Sequence, residues 1–141
     1  MIFLVDANVI IYSAVDCEQQ AACLGILEAI VDGADGRTSP AVLEEVWHIE
    51  RRGRLGRLDG LTEQAHRIFS PLVPVTDEAF VLARGIDVPQ LGTADRVHVG
   101  TCLAHGIETI VTADRGFGAT RAIQRVDPGN ARAVKKLLAA A

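Results

Sequence analysis

Two uninterrupted apolar stretches, Ile2–Val5 and Thr109–Thr112, lead into aspartates, Asp6 directly and Asp114 after Ala113. Short runs without polar alternation predict strands buried on both faces, as in a parallel sheet. Between them the apolar positions recur at helical spacing. Glu18–Val31 carries Ala22, Ile26, Leu27, Ile30 and Val31 in that rhythm and stops at Asp32-Gly33. Ser39 reads as a cap and Pro40 as a first helical residue, opening a helix over Ala41–Ile49. Further helices are expected over Thr62–Phe69, from Thr76-Asp77-Glu78 to about Ile86, and over Thr93–His105, the last capped by Thr93 and closed by Gly106. Asn8 is expected to cap a helix running through Tyr12, and Ala131–Ala140 to form a terminal helix. Arg37-Thr38-Ser39, Leu72–Val75 and Ile123–Val126 read as short strands. Pro71 and Pro74 push the second of these to an edge. Arg51–Gly60 reads as a basic, glycine-punctuated connection. Strands alternating with helices predict one three-layer α/β/α domain over residues 1–141, with a mainly parallel central sheet.

That architecture gives the two aspartates a meaning. Neighbouring parallel strands would place Asp6 and Asp114 together at the carboxyl edge of the sheet, where open α/β sheets hold their ligands. Two carboxylates ~4 Å apart repel by about 4 kcal/mol at an effective dielectric of about 20. A fold keeps such a pair when a counter-charge is present, and a hard divalent cation is the usual one. Two more segments bring an acid to the same edge: Asp95 in the first turn of the Thr93 helix, and Glu44 or Glu45 one turn into the Pro40 helix. Oxygen ligands with room for water suit Mg²⁺ or Mn²⁺ better than zinc. Such a cation can make hydroxide from water and shield a phosphate during in-line displacement.

Composition narrows the classes. The 141 residues are 49% hydrophobic, so the chain is not disordered, and no apolar run approaches a membrane span. Met1–Val5 lacks a basic leader and meets Asp6 too early for a signal peptide. Cys17, Cys23 and Cys102 have no metal-type spacing and read as buried free thiols in a reducing cytoplasm. A net charge of −4 argues against general attraction to nucleic acid. It leaves nucleic acid open as a substrate, since a bound cation and local arginines reverse the sign at a site.

Four blocks of the chain together carry a resemblance. They are Val5-Asp6-Ala7-Asn8-Val9-Ile10-Ile11, Pro40-Ala41-Val42-Leu43-Glu44-Glu45-Val46, Ala94-Asp95-Arg96-Val97-His98-Val99-Gly100-Thr101 and Val111-Thr112-Ala113-Asp114-Arg115-Gly116-Phe117. In this order and spacing they resemble the signature blocks of PIN domains, most closely the VapC-type toxins of bacterial toxin–antitoxin modules. The resemblance covers about Ile2 to Pro128. It implies a Mg²⁺- or Mn²⁺-dependent endoribonuclease, usually a homodimer, neutralised by a cognate antitoxin. It assigns catalysis and metal ligation to Asp6, Asp95, Asp114 and one of the Glu44/Glu45 pair. Glu45 is favoured because the family glutamate tends to sit one residue beyond the apolar pair, here Val42-Leu43. Asn8 and Thr112 match the family's small polar positions. Two departures stand out. Gly116 occupies a position where many relatives carry a further acid, implying a leaner metal site. Gly100 sits where relatives often have alanine, at a mid-helix cost of about 1 kcal/mol that close packing on the sheet would offset.

Blander readings stand beside these. Asp6 could be a helix cap, Asp114 a turn former, and Asp95 a charge favouring a helix N-terminus. Asp77 and Glu78 read as helix-start residues. Among the histidines only His98, one turn below Asp95, is kept as a supporting residue. Trp47, at helical spacing from Leu43, reads as core or dimer surface ahead of a base-stacking platform. Arg51, Arg52, Arg54 and Arg57 read equally as a solvated connection and as an arm for RNA phosphates or an acidic partner. Arg96 and Arg115, each beside a candidate ligand, are weaker candidates for contacting phosphate or balancing the acids. As functions, a catalytically inactive PIN-like scaffold or RNA binder and an RNA-processing nuclease outside a toxin–antitoxin module compete with the toxin reading. A phosphoacceptor receiver domain is set aside: Ala7 follows Asp6 where an acidic pair is needed, and Lys135 and Lys136 fall in the terminal helix. Attack by water predicts 5′-phosphate and 3′-hydroxyl products, and cleavage abolished by chelator.

Overall fold

The computed structural model describes residues 1–139. Its centre is a four-stranded parallel sheet of β1 (Phe3–Val5), β2 (Gly36–Arg37), β3 (Thr109–Val111) and β4 (Gln124–Val126), in the order β2-β1-β3-β4. Leu4 lies opposite Arg37 on one side and Ile110 on the other, and Ile110 lies opposite Arg125. Every residue of the two central strands is buried, which is why both are built of apolar residues and threonine. The outer strands admit Arg37, Gln124 and Arg125.

Helices α1 (Ala7–Ala14), α2 (Gln20–Val31), α3 (Pro40–Arg52), α4 (Leu61–Phe69), α5 (Asp77–Arg84), α6 (Thr93–Ala104) and α7 (Ala131–Ala139) complete the three-layer α/β/α domain. Phe3, Leu4, Val5, Val9, Ile10, Ile110 and Phe117 anchor the core at 1% exposure or less. Each such side chain contributes about 1.5–3 kcal/mol of burial.

Several local expectations are corrected. Leu72–Val75 forms no strand. Val73 N donates to Thr38 O at 2.9 Å, but Pro71 and Pro74 have no N–H with which to extend a ladder. Arg51 and Arg52 belong to the last turn of α3, because arginine is a good helix former and no breaker precedes Gly53. Thr93 is the first residue of α6 and Gly92 takes the cap position without a side-chain bond. Ser39 and Thr76 do cap, accepting from Val42 N and Ala79 N. Cys23 and Cys102 are buried free thiols, pushed by burial up to about 11 and about 12, whereas Cys17 is only half-buried. Ala140, the expected end of the terminal helix, lies outside the described residues. No helix among those described is long and apolar enough to cross a membrane.

Gly100 packs against α5 and not against the sheet. A Cβ there would lie 2.2 Å from Ala79 O and 2.9 Å from Ala83 N, so the glycine sets how closely α5 and α6 approach. That contact fixes one side of α6, and α6 carries two residues of the site.

Candidate metal centre

β1 and β3 are parallel neighbours, so their carboxyl ends open on the same edge. The chain adds β2 beyond β1 and β4 beyond β3, which makes this pair the place where strand order reverses. Open α/β sheets form their ligand crevice at such a point. Asp6 leaves β1 there, and Asp114 follows β3.

Asp6 is 3% exposed and its carboxylate is held from several sides. Oδ1 accepts from Ala7 N at 2.8 Å, and Oδ2 accepts from Thr112 Oγ1 at 2.7 Å and from Asn8 Nδ2 at 3.3 Å. Asp6 itself is therefore the N-cap of α1. Asn8 lies inside the first turn of α1 instead of capping it, because its amide is drawn across to the end of β3. Its Nδ2 donates to Thr112 Oγ1 at 2.9 Å and its Oδ1 accepts from Ala113 N at 3.0 Å. Thr112 Oγ1 also accepts from Asp114 N at 3.1 Å. One hydroxyl and one amide thus lock the two strand ends, the Asp6 carboxylate and the Asp114 backbone into a single geometry.

The third acid comes from α3. Glu45 Oε1 lies 2.9 Å from His98 Nε2, and His98 Nε2 lies 4.0 Å from Asp6 Oδ1. Glu44, its neighbour, is exposed, although it also lines the cleft described below. The structure therefore brings Glu45 and not Glu44 to His98 and Asp6. His98 is 1% exposed, and its Nδ1 has no hydrogen-bond partner among the described residues. Asp6, Glu45 and His98 each offer a donor atom, all within 4.8 Å of one another. The i, i+3 spacing to Asp95 was the sequence signal for His98, and it understated how central the ring is. Asp95, in the first turn of α6, and Asp114 line the same cleft outside this close group.

The electrostatics show the strain of this gathering. Burial raises the pKa of Asp95, and Asp6, Asp114 and Glu45 raise it further against the lowering effect of His98, to about 6. Burial also raises Asp6, opposed by His98, Thr112 and the Ala7 N–H. For His98 burial favours the neutral ring, but the Glu45 hydrogen bond and the Asp6 and Asp95 carboxylates outweigh it and push its pKa up. Among the described residues no lysine or arginine lies within 4.0 Å of any of the four acids. Asp6, Glu45 and His98 form a donor group that could hold a hard divalent cation, with Asp95 and Asp114 lining the same cleft. The donor set is not purely oxygen, as the sequence implied, because His98 sits within it.

At Gly116 a Cβ would lie 2.8 Å from Gln90 O and 3.1 Å from Asp114 Oδ1. The Gly116 N–H instead donates to Asp114 Oδ1 at 2.8 Å. The position therefore orients Asp114 and has no space for the extra acid of some relatives.

The acids open into a cleft of about 1020 Å³ whose walls include Tyr12, Trp47, His48, Arg51 and Arg52. Trp47 is 55% exposed, which removes the core reading. Arg96 is turned away from phosphate duty: its Nε and Nη2 donate to Leu91 O and Val88 O, bracing the turn before α6. Arg54, Arg57 and Arg115 are exposed.

Residues 3–123 match the PIN domain family. The chain belongs to that family. Two solved structures share the PIN-domain fold seen here. One is VapBC2 from Rickettsia felis bound to a DNA fragment from their promoter, with a TM-score of 0.67 and 13% identity over 89% of this chain and 98% of that one. The other is FitAcB from Neisseria gonorrhoeae, with a TM-score of 0.60 and 21% identity over 92% of this chain and 99% of that one. Comparison with curated proteins returns no match.

Proposed function

We propose that residues 1–141 form a single nuclease domain that hydrolyses RNA phosphodiester bonds with Mg²⁺ or Mn²⁺, and that it is the toxin of a VapB–VapC-type module. The reading is carried by one observation: Asp6, Glu45, Asp95 and Asp114 come from four separate places in the chain to one cleft, with no lysine or arginine of the described residues within 4.0 Å of any of them. Family membership and the likeness to VapBC2 and FitAcB support it.

In this reading the four acids hold the cation, which when bound supplies the Lewis acidity for attack of water on phosphorus. The other roles belong to the chain itself. Thr112 and Asn8 keep the Asp6 carboxylate from rotating, and His98 holds Glu45 toward Asp6. The Gly116 N–H holds Asp114. Burial first, and then Asp6, Asp114 and Glu45, push the Asp95 carboxyl up to about 6, and a bound cation would favour its charged form. The proposed partners are an RNA substrate, an antitoxin that covers the acid cluster with a basic side chain, and a second copy of the chain. Gly116, the one residue favouring an inactive scaffold, has a packing role that needs no loss of activity.

The test is cleavage of total RNA by the purified protein in Mg²⁺, Mn²⁺ or EDTA, beside Asp6→Asn and Asp95→Asn. Metal-dependent cleavage lost in both folded variants, with 5′-phosphate ends, is the expected result. A 2′,3′-cyclic phosphate product, or cleavage that survives EDTA, would refute the mechanism.

A further inference from the structure

The wall of the cleft formed by α3 has an order that the metal centre does not explain. The chain has one tryptophan and one tyrosine, and both, Trp47 and Tyr12, line this cleft. Beside Ala41 and Ile49, six lining residues of α3 fall into two rows at helical spacing. Glu44, Trp47 and Arg51 form one row, and Glu45, His48 and Arg52 form the other. Each row runs from an acid through an aromatic ring to an arginine, and all six side chains face the same space. From Glu45 to Arg52 the helix rises about 10 Å.

A helix C-terminus favours basic residues in its last turn. That accounts for neither the ring beside each arginine nor the turning of both rows to the acid cluster. Arg51 and Arg52 are exposed, and among the described residues neither has a hydrogen-bond or ion-pair partner. Trp47 leaves over half its surface open at the same place. Unpaired nucleic acid presents the complementary series, charged phosphates alternating with bases whose faces stack on aromatic rings. A duplex hides those faces.

We infer that α3 is a track for single-stranded RNA: the phosphate to be cleaved sits at the Glu45 end, a base stacks on Trp47, and flanking phosphates rest on Arg51 and Arg52. The proposal rests on the ribonuclease reading for its polarity, but it concerns binding and is measurable without turnover. It also explains how a chain of net charge −4 holds a polyanion, since the positive charge is concentrated where the strand leaves the acids.

Because Trp47 is the sole tryptophan, its fluorescence reports on this wall alone. The experiment titrates the full chain in Ca²⁺ with a short unstructured RNA, recovers the RNA to verify that it is intact, and follows anisotropy and tryptophan emission together. Expected are a change in emission that saturates with binding and weaker binding of the same RNA annealed to its complement. R51A/R52A should weaken binding about tenfold or more and lower the salt slope by about 1.4, for two single-strand phosphate contacts. Trp47→Ala should weaken it roughly 5- to 150-fold, with Trp47→Phe rescuing most of the loss. Unchanged emission at saturating RNA, or a wild-type salt slope in R51A/R52A, would overturn the track. So would an emission change produced only by an acidic peptide, which would give this wall to a protein partner. RNA binding that needs Trp47 and the arginines, without metal-dependent cleavage, would keep the track and sink the ribonuclease reading. Cleavage with a KM unaffected by R51A/R52A would do the reverse.

Discussion

Gly100→Ala sets two principles against each other with opposite signs. Alanine is the better helix former by about 1 kcal/mol, so propensity alone predicts a more stable protein. The new Cβ, however, would stand 2.2 Å from Ala79 O, where ordinary contact begins at 3.4 Å. Backbone opposes it on α5, and Ala83 N at 2.9 Å closes the other escape. The helices must separate by about 1 Å, and overpacking of this kind costs about 1–3 kcal/mol or more. Rigid backbone on both sides puts the cost at the upper end, so the net expectation is a loss of roughly 2 kcal/mol. For a chain of this size that lowers the Tm by about 5–10 °C. Thermal and urea melts of the metal-free protein measure it. Mn²⁺ calorimetry on the same variant tells which helix gives way: α6 carries Asp95 and His98 and α5 carries neither. A Gly100→Ala protein as stable as wild type, or more so, would refute the close-approach argument.

Thr112→Val preserves shape and removes the hydroxyl that donates to Asp6 Oδ2. It should cost about 1.5–3 kcal/mol in urea melts and weaken Mn²⁺ binding, and unaltered metal affinity would show that Asp6 needs no such support. In EDTA, Asp95 binds its proton more tightly folded than unfolded, with pKa values of about 6 and 3.8. Its contribution to stability therefore falls as pH rises from about 4 to 6. The raised His98 pKa acts in the same sense, its contribution being complete below 6.5 and lost as pH rises through the folded value. Melting temperatures across that range should decline less steeply in Asp95→Asn, and saturating Mn²⁺ should remove the decline; equal slopes in both proteins would contradict the assignment. Iodoacetamide at pH 8 should label Cys17 rapidly and spare Cys23 and Cys102, whose thiols are pushed up to about 11 and about 12. Native mass spectrometry showing three equal labelling rates would refute this.

The strands and most helices were legible because each signal was local. Ile2–Val5 has no polar residue to place on a solvent face, and Ser39-Pro40 is a cap whose chemistry is complete in two residues. Asp6 and Asp114 were legible as neighbours at one sheet edge because each follows a buried apolar strand, although each also caps the turn that comes after it. What failed depended on partners distant in sequence. Asn8 looked like a cap until Thr112 and Ala113, more than a hundred residues away, claimed its amide. Leu72–Val75 had strand composition, but proline removed the donors a ladder needs. Nothing local to Gly100 announces that Ala79 O, and not the sheet, lies behind it. The sequence marks His98 only as a supporting residue, since a lone histidine on a helix gives no hint of the glutamate it meets from another.

The bond from Thr112 to Asp6 spans 106 positions, and that separation governs when the centre can exist. A ribosome that has translated the first hundred residues has made Asp6, Glu45, Asp95 and His98 but neither Thr112 nor Asp114. Until β3 is synthesised and pairs with β1, the early acids have no common edge on which to meet. Completion of the acid cluster is therefore a late event, waiting on a strand that is among the last parts of the chain to be made.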